Sequence, residues 1–169
     1  MPKILITNDD GIRSRGIKAA VEALQGLGKL YVVAPMFQRS ASGRAMTLHR
    51  PLRAVRVKMA GVEAAYALDG MPVDCIIFAM ARFGDFDLAV SGINLGENMS
   101  TEITISGTAS AAIEAATHDI PSIAEALRST GKNTSLVWAR VWISARLNIF
   151  SGKSQGQCLE RSSQGMFRC

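Results

Sequence analysis

Apolar and polar positions fall into alternating blocks over residues 1–126. Residues 3–7, KILIT, form a short apolar run rich in β-branched side chains, ended by Asn8-Asp9-Asp10-Gly11. Ile17, Ala20, Val21, Leu24 and Leu27 then recur at helical spacing, with Gly28 placed to stop that helix. Residues 30–34, LYVVA, read as a second buried strand closed by Pro35. Residues 55–57 and 64–68 supply further strands, and 73–81 a helix. Residues 87–90 make another strand, followed by Ser91-Gly92-Ile93-Asn94. A helix of small residues is expected from about 108 to 118, and residues 121–124 start one more strand. Strands that are apolar throughout and alternate with helices imply a mostly parallel sheet covered on both faces. The expected fold class is therefore α/β, a doubly wound domain whose ligands sit at the carboxyl ends of the strands.

The rhythm fails after Ala126. Residues 127–169 are rich in Ser, Arg, Gly and Gln and hold both tryptophans. Residues 137–150 can form a basic amphipathic strand or helix, and the remainder shows no firm period. Charge changes at the same place. The tail carries seven bases (Arg128, Lys132, Arg140, Arg146, Lys153, Arg161, Arg168) against one acid, Glu160. Of 19 bases and 14 acids in all, residues 1–126 thus keep 12 and 13. The overall charge of +5 belongs to the tail and is a poor argument for a nucleic-acid partner. Two regions follow: a core, 1–126, and an atypical basic tail, 127–169.

Composition narrows the class further. A chain of 169 residues with 48% hydrophobic content can bury one sizeable core. No apolar run is long enough to span a bilayer, and the N-terminus lacks the pattern of a signal peptide, so a cytoplasmic location is expected. Cys75, Cys158 and Cys169 show no spacing suited to a metal or a disulfide framework; Cys75, inside VDCIIFAM, reads as a buried thiol.

Four polar clusters fall where strands are expected to end: Asn8 to Gly11, Arg39 to Gly43, Ser91 to Asn94, and Ser106 to Thr108. In a doubly wound sheet such turns converge on one edge. Asp9 and Asp10 are the strongest element, because adjacent carboxylates repel and a bound cation would keep both ionised. Oxygen donors without His or Cys suit Mg²⁺, Mn²⁺ or Ca²⁺ rather than Zn²⁺. An isolated Asp-Asp-Gly is an ordinary turn; following the first strand of an α/β sheet gives the pair its meaning. Gly11 permits the turn that would let both carboxylates face one ligand. Ser40 and Asn94 are neutral donors that could complete the coordination, though each alone reads as a cap or turn residue. Ser106-Gly107-Thr108 precedes ASAAIEAA, and a helix N-terminus with hydroxyls is an anion site as well as a cap. His49, in a polar loop, and His118, near a helix end, read as solvated residues.

The runs ILITNDDGIRSRGI, VVAPMFQRSASGRAMTLHRPLR, ALDGMPVDC, LAVSGINLGENMS and ISGTASAAIEAATHDIPSIA, spanning residues 1 to about 124, resemble the SurE family of survival-protein 5′-nucleotidases. The resemblance implies a Rossmann-like three-layer α/β/α core. It implies a divalent-metal-dependent 5′-nucleotidase that hydrolyses nucleoside 5′-monophosphates to nucleoside and phosphate. It carries one divalent cation, Mg²⁺ or Mn²⁺, onto Asp9, Asp10, Ser40 and Asn94, with Asp9 and Asp10 in the catalytic role as nucleophile, base or water-orienting ligands. It suggests phosphate contacts from Asn94, Ser106, Gly107 and Thr108, with Asn8 and Gly43 joined to the substrate-contact set. A family-like homodimer or tetramer and no membrane partner are expected. The resemblance stops where the composition changes, which points to a truncated or non-native C-terminal part. Two other functions follow from that: a nucleotide- or metal-binding remnant without turnover, and a nucleic-acid binder acting through the basic tail.

Overall fold

The structure, a computed structural model, describes residues 1–95, 104–129, 136–143, 160–161 and 167–168. Its main feature is a seven-stranded sheet in the order β3-β4-β2-β1-β5-β6-β7. The strands are β1 (Lys3–Thr7), β2 (Lys29–Pro35), β3 (Ala54–Val57), β4 (Ala64–Leu68), β5 (Leu88–Leu95), β6 (Ser122–Ser129) and β7 (Leu136–Ile143). The central five, β4-β2-β1-β5-β6, are parallel, whereas β3 and β7 run antiparallel along the two edges. Helices α1 (Arg15–Leu24), α2 (Pro72–Phe83) and α3 (Gly107–Thr117) supply the crossovers. Residues Glu160–Arg161 and Phe167–Arg168 form a separate antiparallel pair, β8 and β9.

Strand periodicity separates the two faces of the sheet. Ile4 and Ile6 point one way and pack with Ile17, Val21, Val32 and Ile93, so this layer is closed by α1. Leu5 points the other way and packs with Val33, Leu68, Ile76, Ala111 and Ala115, so α2 and α3 close the second layer. The expected Rossmann-like α/β/α arrangement is the observed one. Cys75 is fully buried in the second layer, where burial pushes its thiol well above its ordinary pKa, and the Asp74 charge adds to the rise.

Strand order also places a binding crevice. From β1 the chain moves outward to β2 and β4, then returns across to β5 on the other side of β1. The two halves therefore diverge between β1 and β5, with α1, which follows β1, and α3, which follows β5, on opposite faces of the sheet. That gap is the topological switch point where doubly wound sheets bind ligands.

Three expectations change. Helix α1 ends at Leu24, with Gln25 already extended at ψ 136°, and Leu27 lies outside it at 60% exposure. Gly28 does not stop the helix; it lies against the backbone of Pro2, where a Cβ would come within 2.4 Å of the Pro2 carbonyl oxygen. Second, Ser91-Gly92-Ile93-Asn94 is not a turn after a strand but the irregular end of β5. Its pairing with β6 slips between Ser91 and Asn94, where Gly92 adopts φ 140°. Third, β6 continues through Ser129 and pairs along its length with β7, so sheet pairing runs on beyond Ala126. Of the strand or helix expected over 137–150, the described part is the strand β7; residues 144–150, like Cys158 and Cys169, lie outside the described residues.

Candidate metal and phosphate site

The turn after β1 inherits the alternation of the strand. Asn8 continues the face of Ile4 and Ile6 and meets α1; Asp9 continues the face of Leu5 and Thr7 and meets α3. Asn8 is fully buried. Its Nδ2 donates to Ser14 Oγ at 2.7 Å, and its Oδ1 accepts from the Gly11 N–H at 3.1 Å. Ser14 Oγ in turn accepts from the Ile17 N–H, capping α1. Gly11 closes the turn at φ 98°, a conformation open mainly to glycine, with Pro35 and Phe37 packed against it.

Asp9 is 4% exposed. Its Oδ1 accepts a 2.6 Å hydrogen bond from the Thr108 hydroxyl, 99 residues away at the start of α3. Burial raises the pKa of the Asp9 carboxyl above its ordinary value. The Thr108 hydroxyl partly offsets that, the Asp10 charge adds to it, and the backbone N–H groups of Asp9 and Thr108 work against it. The first turn of α3 is thus aimed at this carboxylate. Such closeness depends on Gly107: a Cβ there would stand 2.8 Å from Asp9 Cβ, 3.0 Å from Asp9 Oδ2 and 2.7 Å from Ser42 Oγ. Ser106 is the N-cap of α3, its hydroxyl accepting from the Ala109 N–H at 3.1 Å.

The loop between β2 and β3 forms the opposite wall. The Arg39 N–H donates to the Asp9 carbonyl at 2.7 Å, which brings Ser40 beside the β1 turn. Gln38 Nε2 donates to both Asp10 Oδ1, at 3.2 Å, and Ser40 Oγ, at 3.0 Å, so one amide draws those two oxygens together. The Gly43 N–H donates to the Ile105 carbonyl at 2.8 Å, just before α3. Ser42 Oγ is buried, has no hydrogen-bond partner among the described residues, and faces Gly107. Asn94 comes from the other side of the switch point, at the end of β5, where it pairs in register with Ala126.

The residues singled out in the sequence therefore gather at one sheet edge. Gln38 was not foreseen, nor was the ion pair of Arg44, in the same loop, with Glu114 on α3 at 2.7 Å; Ser42 belonged to a cluster singled out but had no role assigned. Gln38 had a weak local signal, two residues before Ser40 in a polar cluster; Arg44 and Glu114, 70 residues apart, had none. His49 is exposed, as expected, and His118 Nε2 lies 3.1 Å from Glu114 Oε1 at the end of α3.

The donors present suit a hard divalent cation. Two carboxylates, one buried and one half-buried, stand near the Ser40 hydroxyl, which Gln38 draws toward Asp10, and the raised Asp9 pKa is the strain a cation would relieve. Among the described residues no group of three or more His, Cys, Asp or Glu gathers, so neutral oxygens would have to complete the shell.

An α/β domain of Rossmann-like topology with carboxylates at its switch point is the class defined so far. The model of the family described as survival protein SurE matches residues 4–160. The chain belongs to that family. It is 71% identical over 132 residues to a protein named 5′-nucleotidase SurE from Thermococcus kodakarensis, covering 78% of this chain and 51% of that one. It is 53% identical over 129 residues to one of the same name from Archaeoglobus fulgidus, covering 75% and 49%. The crystal structure of a SurE protein from Aquifex aeolicus is similar with a TM-score of 0.65 at 40% identity, over 72% of this chain and 49% of that one. The chain spans about half the length of the curated relatives it matches. Among the described residues no helix is long and apolar enough to cross a membrane.

Proposed function

We propose that residues 1–126 carry the active centre of a divalent-metal-dependent 5′-nucleotidase, releasing phosphate from nucleoside 5′-monophosphates. The observation that carries this reading is the meeting of Asp9, Asp10 and Ser40 with the first turn of α3 at the β1–β5 switch point. The names of its relatives support the same reaction. Asp9, Asp10, Ser40 and Asn94 would hold the cation, Mg²⁺ or Mn²⁺. When bound, such an ion supplies polarisation of a phosphoryl oxygen and acidification of water.

The chain's own groups do the rest. The N–H groups at the start of α3, with the Ser106 hydroxyl, offer donors to phosphoryl oxygens, and the helix dipole favours their charge, while the Thr108 hydroxyl is engaged by Asp9. Gly107 keeps that turn free of side-chain bulk. Asn94, at the end of β5, and Gly43, whose N–H is bound to the Ile105 carbonyl, would flank a bound phosphate. Asp9 and Asp10 stand where an attacking group would be oriented or deprotonated. Asn8, buried with both ends of its amide engaged, belongs to the scaffold of the turn rather than to the substrate contacts.

The test is phosphate release from nucleoside monophosphates with Mg²⁺, with Mn²⁺ and with EDTA. Release is expected with a metal ion and is lost in EDTA and in an Asp9→Ala, Asp10→Ala double variant. Normal release by the double variant would refute the reading. Metal-dependent nucleotide binding without release would instead mark a binding module.

A further inference from the structure

Ser40 lies on an exposed stretch of loop, yet a metal ligand must be held to within a fraction of an ångström. The hydrogen bonds on either side of it show how. Upstream, the Arg39 N–H is bound to the Asp9 carbonyl. Downstream, the Gly43 N–H is bound to the Ile105 carbonyl, and the Arg44 side chain reaches along α3 to Glu114. Arg44 Nε donates to Glu114 Oε2 at 2.8 Å, Nη2 lies 2.7 Å from the same oxygen as an ion pair, and Nη2 donates to Thr117 Oγ1 at 3.4 Å. The Glu114 side chain is 7% exposed, whereas that of Arg44 is 50% exposed. A carboxylate so buried needs a partner. A half-exposed ion pair, however, contributes little net stability. What the pair does provide is geometry: it joins the loop of Ser40 and Ser42 to the helix whose first turn faces Asp9.

We propose that Arg44 and Glu114 are positioning residues, a clasp that sets the Ser40 loop against α3 and so tunes the affinity of the Asp9, Asp10 and Ser40 side of the crevice for a divalent cation. This rests on the metal-site reading above. Neither residue touches the ion. Both act through the loop, as partners behind a coordination shell do, and loss of such a partner costs roughly 10–100-fold in metal affinity.

The sign of one effect separates a clasp from a simple charge. Removing the Arg44 cation would, by Coulomb's law alone, strengthen the binding of a nearby positive ion; losing a clasp weakens it. Mn²⁺ binding to the metal-free full chain, measured by titration calorimetry, reads the difference. Arg44→Met is expected to weaken Mn²⁺ binding about tenfold or more. Arg44→Lys should recover part of the loss, and Arg56→Met, which removes an equal charge from β3, should leave binding unweakened. Glu114→Gln should also weaken binding, and the effects of the two substitutions should be less than additive, since both break the Arg44–Glu114 contact, although Glu114→Gln also alters the His118 contact and Arg44→Met the Thr117 contact. Amide exchange at Gly43 should quicken in Arg44→Met. If Arg44→Met does not fold, Arg44→Gln, which removes the same charge and the same contact, carries the test. Mn²⁺ binding by folded Arg44→Met as tight as the parent's, or tighter, overturns the clasp. A parent chain that binds no Mn²⁺, or an Asp9→Asn variant that binds it undiminished, instead sinks the metal-site reading; Gly43 exchange then decides the clasp alone, an unchanged rate ending it.

Discussion

Two segments form opposite walls of the same crevice and are held there by opposite means. The turn after β1 is buried and braced by its neighbours: Asn8 binds Gly11 and Ser14, three and six residues away. The loop after β2 is largely exposed and is tied to distant residues. Its bonds run from Arg39 to the Asp9 carbonyl and Asp69, from Gly43 to Ile105, from Arg44 to Glu114, from Thr47 to Asp74, and from Arg50 to Asp69. The Asn8 bracing of the first wall is thus available once its own strand and helix form. The second exists only after α2 and α3 have packed on the sheet. A site joining the two combines a rigid carboxylate pair with donors whose place depends on the completed fold.

Three substitutions would break or sharpen that contrast. The largest effect is expected from Gly107→Val, which drives side-chain atoms between the walls, into Asp9 and Ser42. Overpacking of about 1–3 kcal/mol should lower stability in urea. Displacement of reacting groups on the ångström scale should cut phosphate release by about 100-fold; near-parental release would show that the walls need not meet there. Next comes Asn8→Ala, which strands the buried Gly11 N–H and unties Ser14. We expect a loss of about 2–3 kcal/mol in denaturant melts. A cost near zero would mean that the turn is no more locally braced than the loop.

The smallest effect concerns Asp9 itself. Its folded pKa is raised, above all by burial, so the folded chain holds that proton more tightly than the unfolded chain does. The associated stability is fully present below the unfolded carboxylate pKa and is lost as pH rises through the folded value. Metal-free Asp9→Asn should therefore melt higher than the parent at neutral pH but not at acid pH well below that range. An Asp9→Asn chain that melts lower than the parent at pH 7 would show that the carboxylate is stabilised in its ionised form without a cation.

Much of the frame was legible in the chain. Apolar runs such as KILIT and LYVVA announce buried parallel strands, and Ser106 marks a helix start, because these are effects of neighbours within a turn or two. The end of α1 was misjudged because Leu27 fits the helical period while the chain has already turned at Gln25. The end of β5 was misjudged because a glycine beside polar residues reads as a turn whether or not a neighbouring strand pairs past it. Asp9 and Asp10 were conspicuous as candidates, but their partners were not: the Thr108 bond to Asp9 spans 99 residues and the Gln38 bond to Asp10 spans 28.

The sequence by itself determined the alternation of strands and helices, the placing of polar clusters at strand ends, and the parity that sends Asn8 and Asp9 to opposite faces. All of these follow from local periodicity and backbone preference. Only the tertiary structure decided that β1 and β5 adjoin at the switch point, that Gly107 lets α3 reach Asp9, and that Arg44 and Glu114 fasten the Ser40 loop. Those depend on contacts between residues far apart in the chain, whose partners are chosen by packing and leave no periodic trace.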